Sequence, residues 1–158
     1  MRPLHAVVDA VASEVVAVAS LVPVEVPAAV GGPTEGGDLR AGALRDVADR
    51  AAVAAGCIGI GDAWTPLDAS EARSRLGVHV GHDLAYPGTA RRTPEACEAL
   101  VDDLLGHVED GAQWLTNATR RSGGARTWMP VAPDWTFDVA YVAVGKKGAL
   151  FIAFLAED

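Results

Sequence analysis

The C-terminal segment of the chain restricts its fold more than any other feature. Phe137–Val144 and Ala149–Ala156 have the composition of two strands, and Gly145-Lys-Lys-Gly148 supplies glycines where the chain must reverse. The second strand is apolar at almost every position, as in a central strand that is covered on both faces. The segment therefore predicts a C-terminal β-hairpin within a sheet against which other elements pack.

Helical periodicity earlier in the chain predicts the elements that cover this sheet. Apolar residues recur at helical spacing over Leu4–Val22, over Asp38–Ala55 and from Thr93 to Leu115. Thr93 as N-cap, followed by Pro94 at the first helical position, is a strong start signal. Gly56 suits the position just past the second helix.

Two shorter segments have strand character. Val22–Pro27 alternates in polarity, and its prolines lack the N–H of a sheet ladder, so we expect it at a sheet edge. Cys57–Ile60 is expected to form a short strand. These patterns predict a single α+β domain over residues 1–158, with two to three helices packed on a mostly antiparallel sheet that ends in a C-terminal β-hairpin.

The net charge argues against two classes of partner. The chain carries a formal charge of −8 at pH 7, which repels both nucleic acid and anionic membranes. The longest uncharged run near the N-terminus, Val15–Val24, is too short to span a bilayer. We therefore expect no nucleic-acid partner and no membrane partner.

Cysteine content and composition bear on cofactors and location. Cys57 and Cys97 are the two cysteines, and neither forms a CxxC motif or a Cys–His ligand spacing, so we expect no metal site, disulfide framework or cofactor. Frequent Ala, Val, Gly, Arg and Asp residues suggest a high-GC bacterial gene. We expect a cytoplasmic bacterial protein.

One tight cluster of titratable side chains contains a histidine pair, in His79-Val-Gly-His82-Asp83. On a helix, His79 and His82 would share a face and could bind a metal or transfer protons. However, a short helix is expected to end at Gly77 and to leave Val78–Val80 extended, which would direct the two imidazoles to opposite faces. His79, His82 and Asp83 are therefore weak catalytic candidates.

A second candidate is the segment Asn117–Thr136, which is rich in Arg, Gly and Trp. Its glycines and guanidinium groups suit an anionic group or an acidic surface, and Trp and Arg are enriched at the centres of protein interfaces. Part of the segment, Arg126–Val131, could be another strand. The binding residues predicted here are Arg120, Arg121, Arg126, Trp128, Asp134 and Trp135.

The sequence contains no recognisable catalytic motif, and we therefore rank a binding function above an enzymatic one. The Gly-rich run Gly56–Gly61 follows a helix instead of a strand, so it does not match a dinucleotide-binding loop. We favour a non-enzymatic protein-interaction module, such as an adaptor, regulator or immunity-type inhibitor, that binds a protein partner through the Trp/Arg-rich loop. The alternative is a small-molecule binding protein or small metabolic enzyme with a pocket between helices and sheet. A subunit of a larger assembly, or a homodimer, is the remaining possibility.

Overall fold

A computed structural model describes residues 2–12, 16–23, 36–120 and 126–157 of the chain. The elements, in chain order, are α1 (Leu4–Ala12), β1 (Val16–Pro23), α2 (Gly36–Ala54), β2 (Thr65–Leu67), α3 (Ala69–Gly81), α4 (Pro94–Leu105), β3 (Gln113–Thr116), β4 (Ala118–Arg120), β5 (Arg126–Trp128), β6 (Phe137–Val144) and β7 (Gly148–Ala156). None of the helices in these ranges combines the length and the apolar composition needed to cross a membrane.

Five strands form one antiparallel sheet in the order β1-β7-β6-β3-β2, and β4 and β5 form a separate two-stranded ribbon. The predicted C-terminal hairpin is confirmed, with a register running from Phe137 opposite Ala156 to Val144 opposite Ala149. Its turn is held by Glu109, whose carboxylate accepts hydrogen bonds from the backbone N–H groups of Lys146 (3.2 Å) and Lys147 (2.7 Å). A Cβ at position 145 would lie 2.8 Å from the Glu109 carboxyl carbon, so this approach requires a glycine.

Helices cover both faces of the sheet, as the apolar sequence of β7 requires. On one face, Leu150, Ile152 and Phe154 pack with buried residues of α1, α3 and α4. On the other face, Phe151 and Ala153 pack with α2 and with the segment before β6. The α+β class is confirmed, and the described ranges contain a fourth helix beyond the two or three expected.

The N-terminal helix prediction is wrong for Val16–Val22. Val16–Pro23 forms the edge strand β1, which pairs with β7 at all eight positions. Valines at positions 16, 18 and 22 fit an alternating pattern as well as a helical one, and β-branched side chains favour strands. The predicted edge strand Val22–Pro27 therefore begins earlier, and Val24–Pro27 lies outside the described residues.

The helix predicted from Thr93 to Leu115, which is α4, begins where predicted but ends early. The Thr93 hydroxyl accepts a hydrogen bond from the Ala96 N–H (3.3 Å), which confirms the N-cap. The helix ends at Leu105 with Gly106 as its C-cap, and Gln113–Thr116 forms β3 instead of a further helical turn. Glycines weaken a helix interior, and pairing with β6 supplies the backbone partners that β3 needs.

The segment after α2 is a loop instead of the predicted short strand. α2 is confirmed at Gly36–Ala54, and Gly56 takes the positive φ of +82° that suits the end of a helix. Cys57–Ile60 is irregular, although the Ile58 N–H donates to the Val131 carbonyl (2.8 Å). This hydrogen bond attaches the loop to the segment that precedes β6.

Asp49 on α2 holds the next part of this loop. Its carboxylate accepts hydrogen bonds from the backbone N–H groups of Ile60 (2.7 Å) and Gly61 (3.1 Å) and from the indole Nε1 of Trp64 (2.8 Å). The Trp64 side chain is buried and meets Phe151 of β7 edge-on, with ring centroids 6.5 Å apart. One carboxylate thus fixes the loop and satisfies the indole of a core tryptophan.

Replacing this carboxylate should destabilise the fold. Asp49→Ala leaves the buried Trp64 indole N–H without its acceptor, so the free energy of unfolding should fall by about 1–3 kcal/mol. Urea denaturation measures the change. Asp46→Ala, at an exposed position on the same helix, is the matched control and should have little effect. Equal effects of the two substitutions would contradict the role of Asp49.

Candidate functional site

Helix α3 continues to Gly81, so the prediction that Val78–Val80 is extended is wrong. The Asp68 side chain caps the helix by accepting hydrogen bonds from the N–H groups of Ser70 (2.8 Å) and Glu71 (3.4 Å). Ala72, Leu76 and Val80 recur every four residues and are buried. Their burial against α4 and the sheet outweighs the weak helix propensity of Gly77 and the valines.

One face of α3 forms the wall of a cleft with a volume of ≈ 390 Å³, which we call the α3 cleft. Val139 and Tyr141 of β6 contribute to its lining from the sheet side, Ala118 lies at the start of β4, and Leu84 and Pro87 belong to the loop after α3. The lining residues from α3 and its C-cap are Glu71, Ser74, Arg75, Val78, His79 and His82.

A second cavity of ≈ 270 Å³ shares part of this lining. His79, His82, Asp83 and Leu84 border both cavities. The second cavity then extends along the end of β7, from Phe154 to Glu157. The histidine cluster therefore lies where two neighbouring depressions meet.

The His79 ring lies against two aromatic rings of the sheet. Its centroid is 5.9 Å from that of Tyr141 and 5.6 Å from that of Phe154, with both pairs tilted. His82, the C-cap of α3, has Nδ1 3.1 Å from the Val78 carbonyl oxygen. His79 is thus packed on the sheet, whereas His82 closes the end of the helix.

Asp83 is held in the ionised form. Its carboxylate accepts hydrogen bonds from the Ala85 N–H (2.8 Å) and from Arg91 Nη2 (3.2 Å). The Ala85 N–H makes the largest contribution to lowering the pKa of Asp83, and Arg91 lowers it further. This suits a hydrogen-bond acceptor at neutral pH better than a general acid.

The histidine pair lacks a third metal ligand within the described ranges, where no three His, Cys, Asp or Glu side chains are grouped to hold a metal ion. The C-terminal end of α3 is instead fixed by Arg92. Its guanidinium donates hydrogen bonds to the Val80 carbonyl of α3 and to the carbonyls of Ala10 (2.7 Å) and Val11 (2.6 Å) of α1. A cation at the carboxyl ends of two helices is favourable, and it joins them beside the cleft.

The Trp/Arg-rich segment divides into two parts. Ala118, Thr119 and Arg120 pair with Trp128, Thr127 and Arg126 in the β4–β5 ribbon, so part of the segment is a strand, as the sequence allowed. Arg121 lies outside the described residues. Asp134 and Trp135 follow in a separate turn, where Asp134 is exposed and Trp135 packs on the α2-side core. The five predicted residues that the structure describes do not form one loop.

The ribbon and the α3 cleft adjoin each other. Arg75 Nη1 donates to the Ala118 carbonyl (3.2 Å), while its Nε and Nη2 atoms bind Glu71 of the same helix (3.1 and 2.6 Å). Ala118 lines the cleft and is the register partner of Trp128. We call the end of the ribbon at Asn117–Ala118 and Trp128–Met129 the ribbon root. The structure therefore brings the histidine cluster next to the ribbon root, although the two are far apart in the sequence.

A buried polar network at the ribbon root escaped the sequence analysis. Asn117 and Asp138 are 2% and 4% exposed, and Asn117 Nδ2 donates to Asp138 Oδ1 (2.6 Å). Asn117 Oδ1 accepts from the Ala140 N–H (2.7 Å), and Asp138 Oδ2 accepts from the N–H groups of Val131 and Ala132 (both 3.1 Å). The one available signal was a single carboxylate within the otherwise apolar strand β6.

Burial dominates the electrostatics of this network. Desolvation raises the pKa of Asp138 above its ordinary value of 3.8, although the Ala132, Val131 and Asn117 N–H groups act in the opposite direction. Burial, followed by the nearby charge of Asp138, raises the pKa of Cys57 to about 11. Cys57 is therefore a protonated, unreactive thiol at neutral pH.

Comparison of the chain with protein-family models, curated proteins and solved structures finds no match.

The Asp138 network makes stability depend on pH in a specific direction. Both carboxylate oxygens of Asp138 accept hydrogen bonds, and an amide has only one oxygen. In one orientation, the NH₂ group of Asp138→Asn would face the NH₂ group of Asn117, and in the other it would face the Val131 and Ala132 N–H groups. The free energy of unfolding should therefore fall by about 1–3 kcal/mol. Because the folded-state pKa is raised, protonation of Asp138 favours the fold. Its contribution is greatest below pH 3.8 and declines as pH rises through the raised pKa.

Urea denaturation between pH 3.5 and 7, chosen to bracket the ordinary pKa of about 4, measures both effects. The stability difference between the wild type and Asp138→Asn should become smaller as pH rises, and contributions from other carboxylates cancel in this difference. A difference that grows with pH would mean that the three N–H donors outweigh burial.

Proposed function

We propose that the protein is a non-enzymatic interaction module, such as an adaptor, regulator or immunity-type inhibitor. Its binding surface comprises the root of the β4–β5 ribbon and the adjoining α3 cleft. The observation that carries this proposal is the concentration of exposed apolar side chains in this region. The proposal extends the hypothesis of binding through the Trp/Arg-rich segment.

Eight large hydrophobic side chains are exposed in the described ranges, and four of them line the cleft, belong to the ribbon or adjoin such residues in the chain. Val78 lines the cleft, and Tyr86 precedes the cleft residue Pro87. Trp128, 46% exposed, faces Ala118 in the ribbon register, and Met129, 50% exposed, follows it. Trp, Tyr and Met are enriched in protein interfaces, and grouped exposed apolar side chains mark such surfaces.

This surface is held rigidly before any partner binds. Asn117 Nδ2 donates to the Met129 carbonyl, and the Met129 N–H donates to the Asn117 carbonyl, both at 3.0 Å. The Arg75 hydrogen bond to Ala118 fixes the opposite strand of the ribbon to α3. A surface that is ordered in advance loses less conformational entropy on binding, which favours affinity.

Site-specific photo-cross-linking in the original host tests this proposal. A photoreactive phenylalanine analogue at position 128 should give a covalent adduct with one protein. The same group at position 53, which is 61% exposed on α2, should not. Trp128→Ala should weaken binding of the identified protein at least tenfold, as for an interface anchor, whereas Val53→Ala should leave it unchanged. Equal cross-linking at both positions, or at neither, would contradict the proposed surface.

The charge of the chain predicts how association depends on salt. With a net charge of −8, the protein should attract a basic partner over distances beyond direct contact. For a basic partner, the association rate constant measured by surface plasmon resonance should therefore fall as NaCl is raised, whereas the dissociation rate should change less. An association rate that is independent of salt would exclude electrostatic steering.

A second candidate function is small-molecule binding, favoured by the two cavities that meet at His79 and His82. The larger volume, ≈ 390 Å³, lies within the range of small-ligand sites. Native mass spectrometry of protein purified gently from its host would reveal a retained metabolite as extra mass. That mass should be lost in His82→Ala and kept in His5→Ala, a change at an exposed position on α1. A bare mass for the wild type would argue against this candidate.

A further inference from the structure

The two edges of the five-stranded sheet differ in how they are protected. β2, at one edge, has three residues with Pro66 at its centre. β1, at the other edge, has eight residues, none of which is charged, and Pro23 is the last of them. Its register with β7 is continuous, so no bulge interrupts it.

An edge strand presents unpaired backbone N–H and C=O groups along its outer side. Proteins block such edges with short strands, prolines, charged side chains or bulges, because an open edge pairs readily with another strand. β2 has two of these protections, whereas Val16–Val22 is seven residues long and contains no proline, charged side chain or bulge. Within the described ranges, β1 pairs with β7 on one side and with no strand on the other.

Two side chains of β1 are exposed in addition to its backbone edge. Val16 is 44% and Leu21 is 52% exposed, and both are large hydrophobic residues near the ends of the strand. A partner strand that covers β1 must therefore be apolar and without a charge that would be buried there. β1 itself meets both requirements.

We propose that β1 is a homodimer interface, in which it pairs antiparallel with β1 of a second copy and joins two five-stranded sheets into one. A two-fold axis perpendicular to the sheet keeps the two α1 layers on the same side. This axis keeps each residue and its copy on the same face of the sheet, whereas neighbouring residues of a strand point to opposite faces. Because directly opposed residues must share a face, one residue of the strand has to lie opposite its own copy. The symmetric registers are therefore centred on a residue and not between residues.

The sequence of β1 selects Ala19 as that residue. Centring on Ala19 pairs Val16–Val22 over their whole length and leaves Pro23, which has no N–H, outside the ladder. It also places Leu21 opposite Ala17 of the partner subunit, so that a large side chain faces a small one on each side of the axis. A register centred on position 18 pairs fewer residues, and one centred on position 20 includes Pro23.

The proposed dimer does not depend on the function proposed above. The ribbon follows β3, which is separated from β1 by β6 and β7 in the sheet. Each copy would thus carry its own ribbon root and α3 cleft. A two-site assembly of this kind would bind a multivalent partner more tightly than a single copy.

Disulfide trapping tests the register, in the full chain with Cys97→Ser to remove the accessible thiol and with the buried Cys57 retained. Opposed residues of an antiparallel pair have Cα atoms about 4.5–5.5 Å apart, within disulfide range. Ala19→Cys should therefore give a covalent dimer as the main product under mild oxidation. Leu21→Cys is the matched control, because its side chain is more exposed but its two copies would lie roughly 14 Å apart along the strand.

Sedimentation equilibrium of the wild-type chain should show a mass that rises from one copy to two with concentration. Ala19→Lys should give a monomer at every concentration with an unchanged circular-dichroism spectrum, because it places two cations at the axis. A wild-type monomer at millimolar concentration would overturn the proposal. A dimer that persists in Ala19→Lys, or one that is trapped better by Leu21→Cys than by Ala19→Cys, would also overturn it.

Discussion

The burial of β7 on both faces and along both edges is the constraint on which the rest of the structure depends. Its residues from Ala149 to Ala156 are all buried, and it pairs with β1 on one side and β6 on the other. A strand that is apolar on both faces cannot leave either face exposed to water, so helices must cover both faces of the sheet. The chain meets this requirement with α1, α3 and α4 on one face and α2 on the other.

Charged side chains then fix the irregular segments that join the helices and strands. Asp49, Glu109 and Asp138 accept hydrogen bonds from backbone N–H groups of loops, and Arg92 donates to the carbonyl ends of two helices. Backbone groups that no ladder satisfies thus find partners at defined positions. The same arrangement holds the ribbon root rigid, so the surface proposed to bind a partner is an extension of the core.

Local signals predicted what local interactions control. The cap at Thr93 depends on neighbouring residues, and it is confirmed. The position of the hairpin turn is also confirmed, although Glu109 holds this turn from outside the hairpin. The histidine cluster was visible as a composition, but its geometry depended on α3 continuing to Gly81. Asn117 and Asp138 could not be paired from the sequence, because they lie far apart in the chain and either could equally have faced water.

Periodicity and contacts within a few residues were enough to predict the α+β class, the C-terminal hairpin and the start of α4. The tertiary structure alone decided that Val16–Pro23 and Gln113–Thr116 are strands, and that the α3 cleft meets the ribbon at Ala118. Apart from Gly and Pro, residues differ in helix propensity by only up to about 0.7 kcal/mol each. Burying one Val or Leu side chain contributes about 1.5–3 kcal/mol, so long-range packing overrides local preference wherever the two disagree.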